Sequence, residues 1–223
     1  MITFKQHLAL TEDYQSELDP DMMGTFVADC SKFLKIITTG KNLTSVFFRG
    51  ASSHPAAQKD RYKTNSLEMA RRTLNARTPV DTDPVIHELM NDYFDEMFRI
   101  PFRDGMMITN QLQQAREYTR TDPLIIVPVN GTSYCYGDGV KDAHQSMYNL
   151  TQLIDPDLNK NDIVKEFFKK FKYRAGENEL KNALLKHVGE VMIFPKSGNT
   201  LEFYAFSQQY YFKKVLPEVK HYL

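Results

Sequence analysis

The sequence predicts one α+β domain spanning residues 1–223, and three observations carry that prediction. Apolar residues recur at helical spacing through much of the first half, short runs of β-forming residues close the chain, and hydrophobic residues at 42% against 25% charged suit a packed core. Helices lead and strands finish, which fits α+β better than a doubly wound parallel sheet. Lys plus Arg and Asp plus Glu both number 28, so the formal net charge is zero and a uniformly polyanion-binding surface is disfavoured. The first residues lack a basic region followed by an apolar run, and no stretch approaches the roughly 18 apolar residues of a membrane span. The expected setting is therefore cytoplasmic, with no membrane partner and with Cys30 and Cys135 as free thiols.

Taken in order, the first element is a helix after Asp19-Pro20, with Met22, Met23, Phe26, Val27, Cys30, Phe33, Leu34 and Ile37 on its apolar side and Gly40 closing it. Residues 1–42 read as an N-terminal helical appendage and residues 43–207 as the core. Leu43 to Arg49 is a short strand ending at Gly50. Residues 51–82 are polar and irregular and read as a long loop. Asp83-Pro84 caps a second helix whose stripe runs from Val85 and Ile86 to Met97 and Phe98. Gly105 to Thr109 is a strand, with Asn110 as cap of the helix carrying Leu112, Ala115 and Tyr118. Leu124 to Val129 is a third strand, and Asn130-Gly131 is a hairpin signal leading to a partner around Tyr134 to Tyr136. Helical patterns cover about 140–154, 160–173 and 177–187. Val188 to Phe194 and Leu201 to Phe206 end the reading as two strands joined by Pro195 to Asn199.

The motif inventory excludes several chemistries. The chain has no G-x-S-x-G, no P-loop and no H-E-x-x-H, and its six histidines show no metal-ligand spacing, so no metal is expected. Lys165, Lys169, Lys170, Lys172 and Arg174 interleave with Phe167, Phe168, Phe171 and Tyr173. That pattern suits either a nucleic-acid surface with aromatic support or the wet face of a helix that buries its phenylalanines. Three other segments are more pointed. Val46 to Gly50 delivers Arg49 at a strand end, where a guanidinium can fork onto a pyrophosphate. Met106 to Asn110 ends a strand in a hydroxyl. Glu190 opens the otherwise apolar strand Val191-Met192-Ile193-Phe194, where a carboxylate is costly to bury without a partner or a task.

In this order, Arg49-Gly50, then Thr109 with Ala115 and Tyr118, then Glu190 with Val191-Met192-Ile193 and a final aromatic strand at Phe203, the set resembles the arginine–hydroxyl–glutamate class of ADP-ribosyltransferases. The likeness covers about residues 43–206. It implies an ADP-ribosyltransferase-like fold of two small, mostly antiparallel sheets flanked by helices. It also implies NAD as substrate and a macromolecular acceptor, protein or nucleic acid. Glu190, Arg49 and Thr109 would be catalytic; Arg49, Gly50, Thr109, Asn110, Tyr118, Arg77 and Arg103 would hold the cofactor. Arg77, Asp81 and Arg103 form either a second ionic cluster around that cofactor or a buried network pinning the 51–82 loop. Val188 stands where arginine-modifying members carry the first carboxylate of Glu-x-Glu, and Ile108-Thr109-Asn110 replaces Ser-Thr-Ser. A second likeness, carried by Arg77-Thr78-Pro79-Val80-Asp81-Thr82, His87, Phe94, Phe98, Arg103, Thr109, Val127-Pro128-Val129, Tyr134 and Val140-Lys141-Asp142, is to a group of small tailed-phage proteins. It implies action in an infected host cell. Three functions stand at this point: an NAD-dependent ADP-ribosyltransferase or NAD glycohydrolase, a catalytically inactive interaction protein of the same fold binding a host or virion partner, and a nucleic-acid-binding module.

Overall fold

Among the described residues, eight strands hydrogen-bond into one antiparallel sheet in the order β2-β8-β4-β1-β3-β7-β5-β6. The computed structural model describes residues 18–39, 42–50, 64–74, 83–119, 121–151 and 159–223. The strands are β1 (Phe47–Arg49), β2 (Met69–Thr73), β3 (Met106–Thr109), β4 (Leu124–Pro128), β5 (Ser133–Tyr136), β6 (Arg174–Gly176), β7 (Glu190–Phe194) and β8 (Thr200–Phe206). The helices are α1 (Pro20–Asp29), α2 (Ser31–Thr38), α3 (Pro84–Phe98), α4 (Leu112–Glu117), α5 (Ala143–Thr151), α6 (Lys160–Phe171), α7 (Leu180–Leu185), α8 (Gln208–Tyr210) and α9 (Leu216–Tyr222). The mixed α and β class expected from the sequence is present. The sheet, however, is continuous, where the resemblance implied two.

That continuity is thin at one place. β1 and β3 share a single register pair, Phe48 with Thr109, whereas β3 and β7 are paired from Met106–Ile193 to Thr109–Glu190. The sheet bends here. Phe47 on β1 and Tyr134 on β5 stack with ring centroids 6.0 Å apart, although three strand spacings in a flat sheet would separate them by roughly 14 Å.

The bend corrects two hairpins expected from the sequence. β4 pairs with β1 and β8, and β5 with β7 and β6, so Asn130-Gly131 joins strands on opposite sides of the bend. Tertiary docking overrides the local turn signal: Asn130 Nδ2 donates to Ala28 O at 2.8 Å, Asn130 Oδ1 accepts from Lys32 N at 3.0 Å, and Gly131 N donates to Glu177 at 2.9 Å. Likewise β7 and β8 flank residues 195–199 without pairing, and the Lys196 stem lies against Gly131, so the two crossovers run side by side.

The main core is filled from one side by α1 and α2, whose Met23, Phe26, Phe33, Leu34 and Ile37 are fully buried. These helices belong to the core rather than lying apart from it. The one helix expected here breaks at Cys30 (φ −110°). Asp19 caps its start, accepting from Asp21 N at 2.9 Å, and Asp83 does the same for α3 at Val85 N. Besides the short strand β6, which falls between two expected helices, and the 3₁₀ turn Phe102–Asp104, two further elements were not anticipated. β2 is an edge strand inside the stretch read as loop; its Arg71 sits opposite Glu202 and pairs with it at 2.8 Å. The C-terminal segment Gln208–Tyr222 is helical, with a π-turn over Tyr211–Val215 just before Pro217. Pro217 has no N–H to give to the carbonyl one turn back, so the ladder slips there. Tyr211, Val215 and Val219 are buried from this segment.

The second apolar layer covers the other face of β3, β7 and β5. Side chains alternate along these strands: Ile108, Val191 and Tyr134 enter the main core, while Met107, Met192 and Cys135 pack beneath α3 and α6. Phe94 on α3 meets Phe168 on α6 edge-on at 4.8 Å. Among the described residues, no helix is long and apolar enough to cross a membrane.

Candidate functional site

Thr109 and Glu190 continue the Met107 and Met192 rows, so the pleat directs both toward the helical layer rather than the main core. They are cross-strand partners at the end of β3 and the start of β7. Arg49 lies one residue beyond Phe48, the partner of Thr109 on the other side. The three residues separated along the sequence thus occupy three consecutive strands at one level of the sheet. Register produces this arrangement: shifting β7 against β3 by one residue would move Glu190 to the opposite face.

The hydrogen bonds around them are specific. The Thr109 hydroxyl donates to Gln114 Oε1 at 2.8 Å and accepts from Gln111 N at 3.1 Å. Gln114 Nε2 in turn donates to the Lys141 carbonyl, which also accepts the Glu190 N–H at 2.9 Å. One carbonyl of the 137–142 loop therefore joins the helix after β3 to the first residue of β7. Gly189 makes this possible. Its φ of +139° lies where side-chain-bearing residues are strained, and a Cβ there would run into the Val140 carbonyl and Lys141. The His187 Nε2 lies 3.1 Å from the Glu190 carbonyl oxygen, and its ring lies 4.7 Å from that of Tyr136. Burial holds the His187 pKa below the usual histidine value, with the Glu190 carbonyl contact acting the other way.

Glu190 itself is half enclosed. Its side chain is 15% exposed, and Oε1 lies 3.7 Å from Nη1 of Arg103, which is 7% exposed. Arg103 had been grouped by sequence with Arg77 and Asp81; those two lie outside the described residues, and the structure gives Arg103 a carboxylate partner on β7. Arg49 Nη1 donates to the Met107 carbonyl at 3.2 Å. Gly50 lets the end of β1 approach α4, since a Cβ would stand 2.8 Å from Ala115 O and 2.9 Å from Tyr118 Cβ. Tyr118 is 53% exposed beside it. Asn110 does not cap the helix after β3, which starts at Gln111 without a side-chain cap. Its Nδ2 instead donates to the carbonyls of Ala183 at 3.2 Å, Leu184 at 3.3 Å and His187, satisfying the end of α7.

The basic stretch at 165–174 behaves largely as the wet face of a helix. Phe167 and Phe168 are buried, and Phe171 is half-buried under Lys170, whose ammonium lies 5.3 Å from its ring centre. Lys165 pairs with Asp162, Lys169 with Glu166 and Arg174 with Asp138. Among the described residues, no group of three or more His, Cys, Asp and Glu side chains is placed to hold a metal ion. Comparison of the chain with protein-family models, curated proteins and solved structures returns no match.

Proposed function

We propose that the chain is an NAD-dependent ADP-ribosyltransferase or NAD glycohydrolase. The observation that carries the reading is the register of Glu190 against Thr109, with Arg49 on the next strand. The bend that brings β1 and β5 face to face supports an ADP-ribosyltransferase-like arrangement in which each side of the fold contributes to one site.

In this reading Arg49 grips the pyrophosphate, and Thr109, whose hydroxyl donates to Gln114 and accepts from Gln111 N, offers its remaining lone pair toward the nicotinamide ribose. Glu190 accepts from the ribose 2′-hydroxyl and faces the anomeric carbon. The C1′–N bond breaks and its electron pair returns to the nicotinamide nitrogen, which becomes neutral. Positive charge passes to the ribose as an oxocarbenium-like state, stabilised by the Glu190 carboxylate. A water or acceptor oxygen or nitrogen then forms the new bond at C1′ and releases its proton to solvent. Val188, 51% exposed two residues before Glu190, supplies no carboxylate to take that proton. This favours water, or an acceptor other than a guanidinium. Likeness to tailed-phage proteins supports an action in the host cytoplasm.

A non-catalytic interaction protein is the second reading. It is favoured by the protein partners already found for each group: Met107 O for Arg49, Gln114 for Thr109 and Arg103 for Glu190. The test is to incubate the protein with NAD and, separately, with protein, RNA and DNA, and to measure free nicotinamide and transferred ADP-ribose. Nicotinamide release with or without transfer supports the enzyme; no release and no NAD binding by calorimetry leaves the interaction protein.

A further inference from the structure

The buried charge beside Glu190 is held by a dedicated support. Arg103 lies on a 3₁₀ turn, Phe102–Asp104, between α3 and β3. Two polar side chains of α3 secure that turn: Asn91 Oδ1 accepts from Arg103 N at 2.9 Å, and His87 Nε2 lies 3.2 Å from Asp104 Oδ1. Both contacts sit beneath an otherwise apolar layer in which His87 is almost wholly buried. A guanidinium in such surroundings is costly to bury unless it is paired, and the Glu190 carboxylate lies 3.7 Å from it.

Tyr173 packs in the same layer. Helix α6 ends at Lys172 in the left-handed conformation, φ 39°, which is uncommon for a side-chain-bearing residue and turns the chain back under the helix. The Tyr173 ring then packs 5.0 Å from Phe94 and 5.2 Å from Phe168. Its hydroxyl is buried and makes no hydrogen bond among the described residues. Burial pushes this phenol well above its usual range, and Glu190 is the largest charge acting on it.

We propose that Arg103 is a positioning residue for Glu190: locked by α3, its guanidinium fixes the direction of the carboxylate at the start of β7. This rests on the reading of Glu190 as the group that faces the ribosyl cation. Two buried groups feel the Glu190 charge: burial and then that charge push the Cys135 thiol on β5 and the Tyr173 phenol after α6 above their usual ranges. Asp142 of the 137–142 loop acts on Tyr173 in the same sense as Glu190, while Arg103 acts against both. His187 and the Lys141 carbonyl engage the Glu190 main chain. Removing the guanidinium takes a buried positive charge from 3.7 Å of the carboxylate, which favours its protonated form.

The experiment compares Arg103→Gln and Arg103→Lys with the parent, following nicotinamide release from NAD as pH is lowered. Arg103→Gln is expected to move the acid limb of kcat upward by about one pH unit or more and to lower kcat by about tenfold with KM little changed. Arg103→Lys is expected to keep the limb near the parent's, because the charge remains. An unshifted limb and parent turnover in Arg103→Gln would overturn the proposal, as would Arg103→Lys behaving like Arg103→Gln. Asn91→Ala leaves both charges in place and loosens only the turn. It serves where Arg103→Gln does not fold, with turnover expected to fall several-fold, and parent turnover in it likewise overturns the proposal. A parent that releases no nicotinamide defeats the reading of Glu190 as a catalytic group, not the role of Arg103. That role is then read by carbon NMR titration of the Glu190 carboxylate in parent and Arg103→Gln: an upward shift of about one pH unit supports it, and superimposable curves refute it.

Discussion

The main core and the layer beneath α3 and α6 use the same aromatic side chains, yet they treat polar groups differently. In the main core Phe26, Phe33, Phe47, Phe203 and Phe206 meet around few polar atoms: the Tyr204 hydroxyl reaches Asp29 at its part-buried margin, and the buried Tyr211 hydroxyl makes no hydrogen bond among the described residues. In the second layer Phe94, Phe102, Phe167 and Phe168 surround His87, Arg103 and the Tyr173 hydroxyl, and Glu190 and Thr109 open onto it. Buried charge is expensive unless paired, and a chain able to fill one core with hydrocarbon has no packing need for it in the other. The lesson is that apolar filling and buried charge are assigned to opposite faces of the same three strands.

The largest effects test that division directly. Phe47→Ala and Phe94→Ala each remove a fully buried ring and are each expected to cost about 3–5 kcal/mol, read from denaturant midpoints. Only Phe94→Ala, which removes a wall of the Tyr173 pocket, is expected also to depress nicotinamide release measured well below either midpoint. Equal losses of activity in the two variants would erase the distinction between the faces.

Gly189→Ala comes next, at about 1–3 kcal/mol, because it adds a side chain at φ +139°. Hydrogen exchange should rise in the 137–142 loop, where the Glu190 N–H to Lys141 bond is lost. A variant with parent stability and parent protection would show that the close approach at Gly189 is not needed.

A smaller effect depends on pH. Burial lowers the folded-state pKa of His187 below its unfolded value of about 6.5. Above that value both states hold a neutral ring and His187 adds no pH dependence. As pH falls through the unfolded value toward the lower folded one, the unfolded chain takes the proton first and the fold loses stability. His187→Gln is expected to flatten the Tm-against-pH curve in that window; an unchanged slope would contradict this origin.

The smallest effects belong to the solvent face of α6. Lys165→Ala and Lys169→Ala should stay within about 0.5 kcal/mol of the parent, since exposed pairs contribute little. Nucleic-acid affinity should be weak and should fall steeply with salt. Tight binding that survives salt would instead give this helix a role of its own.

Much of this division was legible in the sequence, and the failures have physical causes. The 3.6-residue stripe of α3 and the Asp83-Pro84 start stand out because capping and amphipathicity are local properties. Glu190 stands out because a carboxylate at the head of an apolar strand is anomalous. β2 was hidden because an edge strand need not be apolar: Arg71 and Arg72 lie on a half-solvated ribbon whose cross-strand partner is Glu202. The C-terminal helix carried a usable signal in the four-residue spacing of Tyr211, Val215 and Val219, disguised by Pro217. Strand partners could not be read from turn residues, because Asn130 is committed to the helix break near Cys30, a contact about a hundred residues away in sequence. The partner of Arg103 was hidden for the same reason: the residue that neutralises it lies on a strand distant in sequence and adjacent only after folding.

The most direct measurement is nicotinamide release by the parent and by Glu190→Gln at saturating NAD, with NAD affinity determined on the same samples by calorimetry. Glutamine keeps the size and hydrogen-bonding capacity of the side chain and removes the charge that the proposed function sets against a ribosyl cation, so loss is expected in the transition state and not in the ground state. The account predicts near-parent NAD affinity in Glu190→Gln and a fall in release of about a hundredfold or more. Parent-level release by Glu190→Gln, or a parent protein that neither binds NAD nor releases nicotinamide, would contradict it.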